Sequence, residues 1–469
     1  MSVSYTIKRL YDVAFAILYQ KRLDRHDRWS REKLDKHQRS RLSSLVSYAV
    51  RHSPFYKKHY GHIDDGKEVA LRDLPVVNKA VMMENFDAFV TDPRLKLAEL
   101  QSHIASLDRD DAYHLGEYRV LTTSGSSGRK GVFVFNRKEW STAIAGYWRC
   151  GAFMGIKPRL PRWKMAIVAA GSPMHVSYRS SVSSDVGIMK VKRLEATACV
   201  QDLVRDLNEF QPECLAGYPS VISLLADDQI EGRLQIRPRV ISTTGELRTE
   251  DMEQKMRKAW GTVPYNLYGM TESGVFCGSD CSLHRGIHIF EDLFIVEAVD
   301  ERNRPVHDGA LGAKLLITNL FNFTQPLIRY EVSDMVSMTG DACPCGRPFR
   351  RIVSMEGRSD DILYFPGSAG CDIAVHPLNF RSPMASFPDI LEYRIVQERD
   401  CVDVSLVLRQ GTPADQVAER VKKKLREKVE TLGARCPELR IRPVPCIERD
   451  TQKMGKLKIV QSNIKKAAK

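Results

Sequence analysis

Two groups of residues in this chain have types and spacings that could do chemistry. The first is LTTSGSSGRKGVFVF, residues 121–135, in which glycines, serines and threonines stand between apolar runs. Glycines let successive backbone amides turn toward one point and form an anion-binding nest. Thr122, Thr123, Ser124, Ser126 and Ser127 add hydroxyl donors, and Lys130 adds a charge. The spacing of Gly125, Gly128 and Gly131 does not make a nucleotide P-loop, because Lys130 is followed by glycine rather than Ser or Thr. A dinucleotide fingerprint fails too, since GVFVF reads as a strand where a helix is required. A strand–loop–strand hairpin remains, either cradling phosphate or serving as a plain loop.

The second group is sulfur and imidazole. Cys281-x2-His284 and Cys343-Pro344-Cys345 are two short chelating pairs. Three thiolates and one imidazole complete a tetrahedral zinc site with no open position, which is structural rather than catalytic. Cys277 and His288 compete with Cys281 and His284 for places in the set. The alternative is four reduced side chains in a core or on the surface.

The chain that must position these groups has 469 residues, 43% of them apolar and 28% charged. That is an ordinary composition for a globular protein of two or three domains. Eleven cysteines, mostly scattered singly, point to reduced thiols and a cytoplasmic protein. VAFAIL, residues 13–18, is too short for a signal core and reads as the buried face of a helix over residues 4–20. No apolar run approaches the roughly 20 residues of a membrane span. The net charge of +13 favours anionic ligands or surfaces. Its excess near the N-terminus reads as solvated helices, with contact to an anionic membrane left open. Zinc-finger spacing, basic-zipper heptads and aromatic-basic signatures are all missing, so nucleic acid is not an expected partner.

Residues 1–95 read as helical. Residues 35–51 carry Leu42, Leu45, Val46 and Ala49 at helical spacing. From about 118 to 300, strands such as KMAIVAAG (164–171) and RVISTTGE (239–246) alternate with helices over 199–211 and 220–227, which argues for α/β architecture. Closely spaced strands follow from residue 286. The last part has strands in LEYRIVQE, VDVSLVLRQ and LRIRPVPCI. It also has a helix capped by Thr412, with Pro413 at its first position and Gly433 at its end. The expected units are a helical region over 1–95, a core over 96–356 and a small α+β domain over 357–469.

Further along lie NLYGMTESG (266–274), PLIRYEVSD (326–334), EGRSDDILYFPG (356–367) and KMGKLK (453–458). With the hairpin, and in this order, they resemble the core motifs of the adenylate-forming acyl-CoA synthetase superfamily. CSLHRGIHIFEDLFIVE and CPCGRPFRRI resemble the phenylacetate–CoA ligase branch. That branch includes capsule-biosynthesis homologues and a coenzyme-adenylylating synthetase. The resemblance runs from about residue 40 to the end. It implies a large multi-layer adenylation domain, built of sheets with packed helices and a small barrel-like part, followed by a small mobile α+β domain.

The resemblance also implies residue roles. The hairpin from Thr122 to Gly131 would hold the β- and γ-phosphates of ATP. Gly245, Glu246, Tyr268 and Gly269 would line the adenine, Thr271 would contact the α-phosphate, and Glu272 would hold Mg²⁺. Asp334 and Arg358 would contact the ribose, and Asp360 would be the hinge of the small domain. Lys456 resembles the lysine that stabilises the α-phosphate during adenylation. The reading is an AMP-forming acid–thiol ligase that makes an acyl adenylate from a small-molecule carboxylic acid, aryl or heteroaryl. It would then transfer the acyl group to coenzyme A or a carrier-protein thiol. The acyl pocket is expected around residues 170–180, Tyr218, Pro219, Val275 and Phe276, where His175 and Arg179 could meet a polar group. Nucleotidyl transfer, loading of an acyl carrier protein, a non-catalytic scaffold and self-association as a homodimer stay open.

Overall fold

The computed structural model describes residues 3–60, 70–107, 112–123, 131–171, 175–358, 361–367, 372–375, 377–384, 386–387, 389–448 and 457–464. Three helices begin the chain, Val3–His26, Arg31–His52 and Pro54–Tyr60. The first runs a turn and a half beyond the expected residue 20. The second is capped by Ser30, whose side chain accepts from Lys33 N–H. It buries Leu34, Leu42, Leu45, Val46 and Ala49 on one face. It stops at Ser53, which precedes a proline and so takes an extended conformation.

These helices are part of the main core. Tyr56 and Tyr60 are fully buried, and their hydroxyls donate to the carbonyls of Pro326 at 2.6 Å and Pro75 at 2.8 Å. A buried ionic cluster adds a second anchor. Arg149 donates to Asp292 at 2.8 Å, and His26 Nδ1 lies 2.7 Å from the other Asp292 oxygen. Arg149 also pairs with Asp27. Burial opposes ionisation of Asp292, but Arg149 and His26 outweigh it and hold its pKa down to about 2.

A nine-stranded mixed sheet forms the centre. Its order is Asp334–Thr339, Arg351–Arg358, Ile287–Ile289, Phe276–Ser279, Tyr265–Gly269, Val240–Thr244, Cys214–Gly217, Trp163–Ala169, Met189–Glu195. The last five are mutually parallel and the rest antiparallel. The helices Val200–Phe210, Pro219–Ile230 and Glu250–Trp260 connect the parallel strands, as crossovers require. Gly217 has no room for a side chain, since a Cβ there would sit 2.6 Å from the Val168 carbonyl oxygen. A separate three-stranded antiparallel sheet, Phe294–Val299, Lys314–Asn319 and Tyr330–Val332, stands where the small barrel-like part was expected.

The expected hairpin is present. Tyr118–Thr122 pairs antiparallel with Val132–Asn136, and nearly all its side chains are buried. The helix Arg137–Phe153 follows at once, started by a capping box between Asn136 and Glu139.

Toward the C-terminus, a four-stranded sheet has the order Glu438–Pro443, Cys401–Leu408, Ile390–Gln397, Val460–Ser462. The helix Ala414–Thr431 lays Val417, Val421, Leu425 and Val429 against it. Pro413 is the cap of this helix rather than its first residue, because its ψ of 97° is extended. Gly433, at φ +81°, follows the helix in the left-handed conformation. The buried apolar residues from Leu363 to Val460 form a cluster of their own.

Candidate active site

Ligands of α/β sheets gather at the carboxyl ends of parallel strands. Here the ends of Val240–Thr244 and Tyr265–Gly269, which pair in parallel, open onto one cleft. Its cavity volume is ≈ 220 Å³, and it is open to solvent at its mouth.

The first strand end continues into Gly245 and Glu246. Gly245 turns the chain at φ +81°. The Glu246 carboxylate then accepts the Ser220 N–H at 3.2 Å with one oxygen and the Leu457 N–H at 2.6 Å with the other. Ser220 lies in the first turn of Pro219–Ile230, where a negative charge is favourable. Leu457 belongs to the segment that leads into Val460–Ser462. One carboxylate therefore joins the central sheet to the C-terminal unit.

The second strand end carries YGMTE. Gly269 is required sterically, because a Cβ would lie 2.4 Å from the Val275 carbonyl oxygen. Thr271 is buried in the 3-10 turn Thr271–Ser273, and Glu272 is half-buried at the cleft. Tyr268 is buried, and its hydroxyl donates to Asp334 Oδ2 at 2.7 Å. Burial, and then the Asp334 charge, push the Tyr268 phenol well above its usual pKa, so it stays a donor. Arg358 Nε donates to Asp334 Oδ1 at 3.1 Å. The carboxylates of Asp334, Asp361 and Glu272 raise the pKa of Arg358 against the effect of burial.

The base of the hairpin reaches the same cleft. Thr123 N–H donates to the Gly131 carbonyl at 3.1 Å, and its Oγ1 accepts the Gly131 N–H at 2.8 Å. Thr123 lines the cleft, whereas Thr122 is buried on its strand. Ser124, Gly125, Ser126, Ser127, Gly128 and Lys130 lie outside the described residues, as do Asp360 and Lys456. Three basic lining residues were not singled out in the sequence: Lys79, Arg381 and Lys458. Lys458 donates to Asp361 at 2.7 Å. Its place in KMGKLK, two residues after Lys456, was the available signal. Nothing local marks Lys79, which starts the short helix Lys79–Glu84.

Of the expected acyl-pocket residues, His175 lines the cleft. It is buried, and its Nδ1 accepts the Ser177 N–H at 3.2 Å, capping Val176–Ser183. Arg179 is buried one turn along that helix. Tyr218, Pro219 and Val275 do not line it. Tyr218 packs in the apolar cluster around Pro219–Ile230, and its hydroxyl accepts the Ala170 N–H at 3.2 Å. Pro219 is the first residue of that helix, and Val275 packs in the main core.

A second constellation lies outside the lining of the cleft. Cys281, His288, Cys343 and Cys345 place their ligand atoms within 4.8 Å of one another. Cys281 Sγ is 4.0 Å from Cys343 Sγ, and Cys345 Sγ is 3.5 Å from His288 Nε2. With Zn–S near 2.3 Å and Zn–N near 2.0 Å, tetrahedral geometry puts such atoms roughly 3.5–3.8 Å apart. The donor set fits zinc. The imidazole in the cluster is His288, not His284. His284 has a left-handed backbone, φ +48°, and its Nδ1 bonds Asp280 at 2.8 Å. Burial, with Arg347 and Arg351 nearby, lowers the His288 pKa to about 4, which keeps its lone pair available.

No protein-family model matches the chain. It is 25% identical over 388 residues to a phenylacetate-coenzyme A ligase of Thermus thermophilus, covering 79% of each chain. It is 23% identical over 405 residues to the protein CapK of Staphylococcus aureus, covering 83% of this chain and 82% of that one. A crystal structure of 2-hydroxyisobutyryl-CoA ligase in the postadenylation state, in complex with 2-HIB-AMP, superposes with a TM-score of 0.73. It is 21% identical, with 94% of this chain and 92% of that chain covered. The fold is that of the acyl-CoA ligases, and the relatives bear out the resemblance drawn from the motifs.

Proposed function

We propose that this chain is an AMP-forming acid–thiol ligase that uses Mg-ATP to activate a carboxylic acid and passes the acyl group to coenzyme A. One observation carries the reading. Thr123, Glu246, Tyr268, Thr271, Glu272, Asp334, Arg358 and the Leu457 segment come from distant parts of the sequence and from two hydrophobic cores, yet they surround one cleft. Two cores have no structural reason to converge on a cleft lined this way unless a ligand lies between them. The non-catalytic scaffold reading lacks that support.

In this reading a carboxylate oxygen of the acid attacks the α-phosphorus of ATP. The bond to the β-phosphate breaks and pyrophosphate leaves. A thiolate then attacks the acyl carbonyl, and AMP departs with the oxygen of the former mixed anhydride. The protein's part is positioning and charge stabilisation. Asp334 has acceptor capacity left for ribose hydroxyls after taking one bond each from Tyr268 and Arg358. Gly245 and Tyr268 would border the base. Thr271 would donate to the α-phosphate, and Lys79 and the hairpin would meet the outer phosphates. Glu272 would hold Mg²⁺, a hard cation that neutralises phosphate charge. Lys456 would reach the α-phosphate, a role supported by the Leu457–Glu246 contact one residue away.

The acid is a small aryl or heteroaryl carboxylic acid, with His175 at the polar side of its site. Cys281, His288, Cys343 and Cys345 would hold structural zinc, which ties Ile287–Ile289 to the CPC turn and supplies no chemistry to the cleft.

Incubation with Mg-ATP, coenzyme A and a panel of aryl and alkyl acids tests this. An acyl-CoA thioester formed in equal amount with AMP supports it. Acid-dependent AMP release that coenzyme A never accelerates would move the reading to a carrier protein or to nucleotidyl transfer. No turnover and no ATP binding would restore the scaffold reading.

A further inference from the structure

The first helix, Val3–His26, has two apolar stripes where a surface helix needs one. The inner stripe includes Ala16 and Leu23, both buried, and packs with Arg137–Phe153. Asp12 is turned to that side, where it pairs with Arg137 at 2.5 Å. The outer stripe faces solvent. Ile7 is 62% exposed, Leu10 66%, Tyr11 79% and Leu18 67%. Ala14 and Ile17 are exposed with them. Ile7, Tyr11, Ala14 and Leu18 follow one another at intervals of three or four residues, with Leu10 and Ile17 beside them, so they form one contiguous band along the helix.

Single apolar side chains on a surface need no explanation, but a contiguous band marks a contact site. The band runs into Lys21, Arg22 and Arg25, all exposed on the same side of the helix one turn further on, with the exposed Asp24 at their edge, so the turn carries a net positive charge. Lys8 is exposed near its other end. The one carboxylate between Ile7 and Leu18 is Asp12, and it is neutralised inward.

We propose that this outer face seats the protein on an anionic lipid bilayer, with Val3–His26 lying in the plane of the membrane interface. An apolar band edged by lysine and arginine is the pattern of such helices, in which apolar side chains enter the acyl boundary and basic ones meet headgroup phosphates. Charge selects this occupant over a second copy. The chain carries a net +13, so two copies repel each other while an anionic surface attracts. The inference stands apart from the ligase reading, because no residue of the stripe lines the cleft.

Co-sedimentation of the full chain with two kinds of vesicle tests it. One kind is phosphatidylcholine alone, and the other contains about one third phosphatidylglycerol. The protein should pellet with the anionic vesicles and stay in solution with the neutral ones. The double variant Leu10→Glu, Leu18→Glu should lose binding while melting like wild type, since both side chains are exposed. The double variant Lys21→Glu, Arg22→Glu should lower partition into anionic vesicles by about tenfold or more. Failure to bind anionic vesicles overturns the proposal, and so does equal retention of the Leu10→Glu, Leu18→Glu variant. A dimer in sedimentation velocity that the same variant dissociates would reassign the stripe to self-association.

Discussion

The hydroxyl of Tyr268 lies 2.7 Å from Asp334 Oδ2, although three strands separate their two strands in the central sheet. Flat, that separation would be about 19 Å, beyond the reach of the two side chains. The sheet therefore curls at its antiparallel end, and the curl closes one wall of the cleft. Asp334 is held from both sides, by Tyr268 and by Arg358.

Removing the phenol should loosen this wall without unfolding the protein. Tyr268→Phe should raise the KM for ATP several-fold and cost about 1 kcal/mol of stability. Asp334→Ala removes the acceptor for the ribose as well. It should raise the KM for ATP by about 10–100-fold, the equivalent of a hydrogen bond to a charged group. The KM for the acid should change little in both. ATP titrations at saturating acid measure the split.

Glu246 should matter more for the first half-reaction than for the second. Its carboxylate fixes the backbone of Leu457, next to Lys456. Glu246→Gln keeps the shape but weakens that bond. Adenylation, followed as pyrophosphate release, should slow by about tenfold. Thioester formation from supplied acyl adenylate should be nearly unchanged. Equal slowing of both steps would reduce Glu246 to a general structural role.

Zinc content should discriminate between two nearby histidines. His288→Ala and Cys343→Ser should each lower metal content and the melting temperature, whereas His284→Ala should retain the metal. Strong chelators should reproduce the drop in Tm, because binding at a structural site adds directly to folding stability. Metal analysis of the three purified variants decides it.

The Asp292 cluster should make the fold acid-sensitive. The carboxyl titrates near 2 in the folded chain against an ordinary 3.8. A depressed pKa stabilises above the unfolded value, and that stability is lost as pH falls through the folded one. The contribution is about 2 kcal/mol, fully present above pH ~4 and gone below pH ~2. Asp292→Ala at neutral pH should cost about 3 kcal/mol, since it leaves the buried Arg149 with Asp27 alone and His26 without its carboxylate. Denaturant melts between pH 2 and 7 measure both effects.

The legible features were those that sequence spacing controls. The hairpin around residues 121–135 showed itself because two apolar runs bracket glycine and serine. The helix Ala414–Thr431 showed its buried face at helical spacing. The cap residue of that helix shifted by one position, a detail decided by one backbone angle. What spacing does not control was harder to read. Cys281-x2-His284 looks like a chelating turn, but the turn directs His284 to Asp280. His288 instead sits on Ile287–Ile289, which pairs with Arg351–Ile352 and so reaches the CPC turn. Tyr218 and Val275 were expected to line the acyl pocket, yet packing sends both into cores. The Arg149–Asp292–His26 cluster joins residues 143 and 266 positions apart, a distance over which no local pattern carries information.

The central claim is that the cleft activates an acid with ATP. The most direct test is pyrophosphate release from Mg-ATP across a panel of carboxylic acids, with Lys456→Ala as the control. The account predicts release that depends on one class of acid and falls by orders of magnitude in the variant. Release that ignores the acid, or survives the loss of Lys456 unchanged, would contradict it.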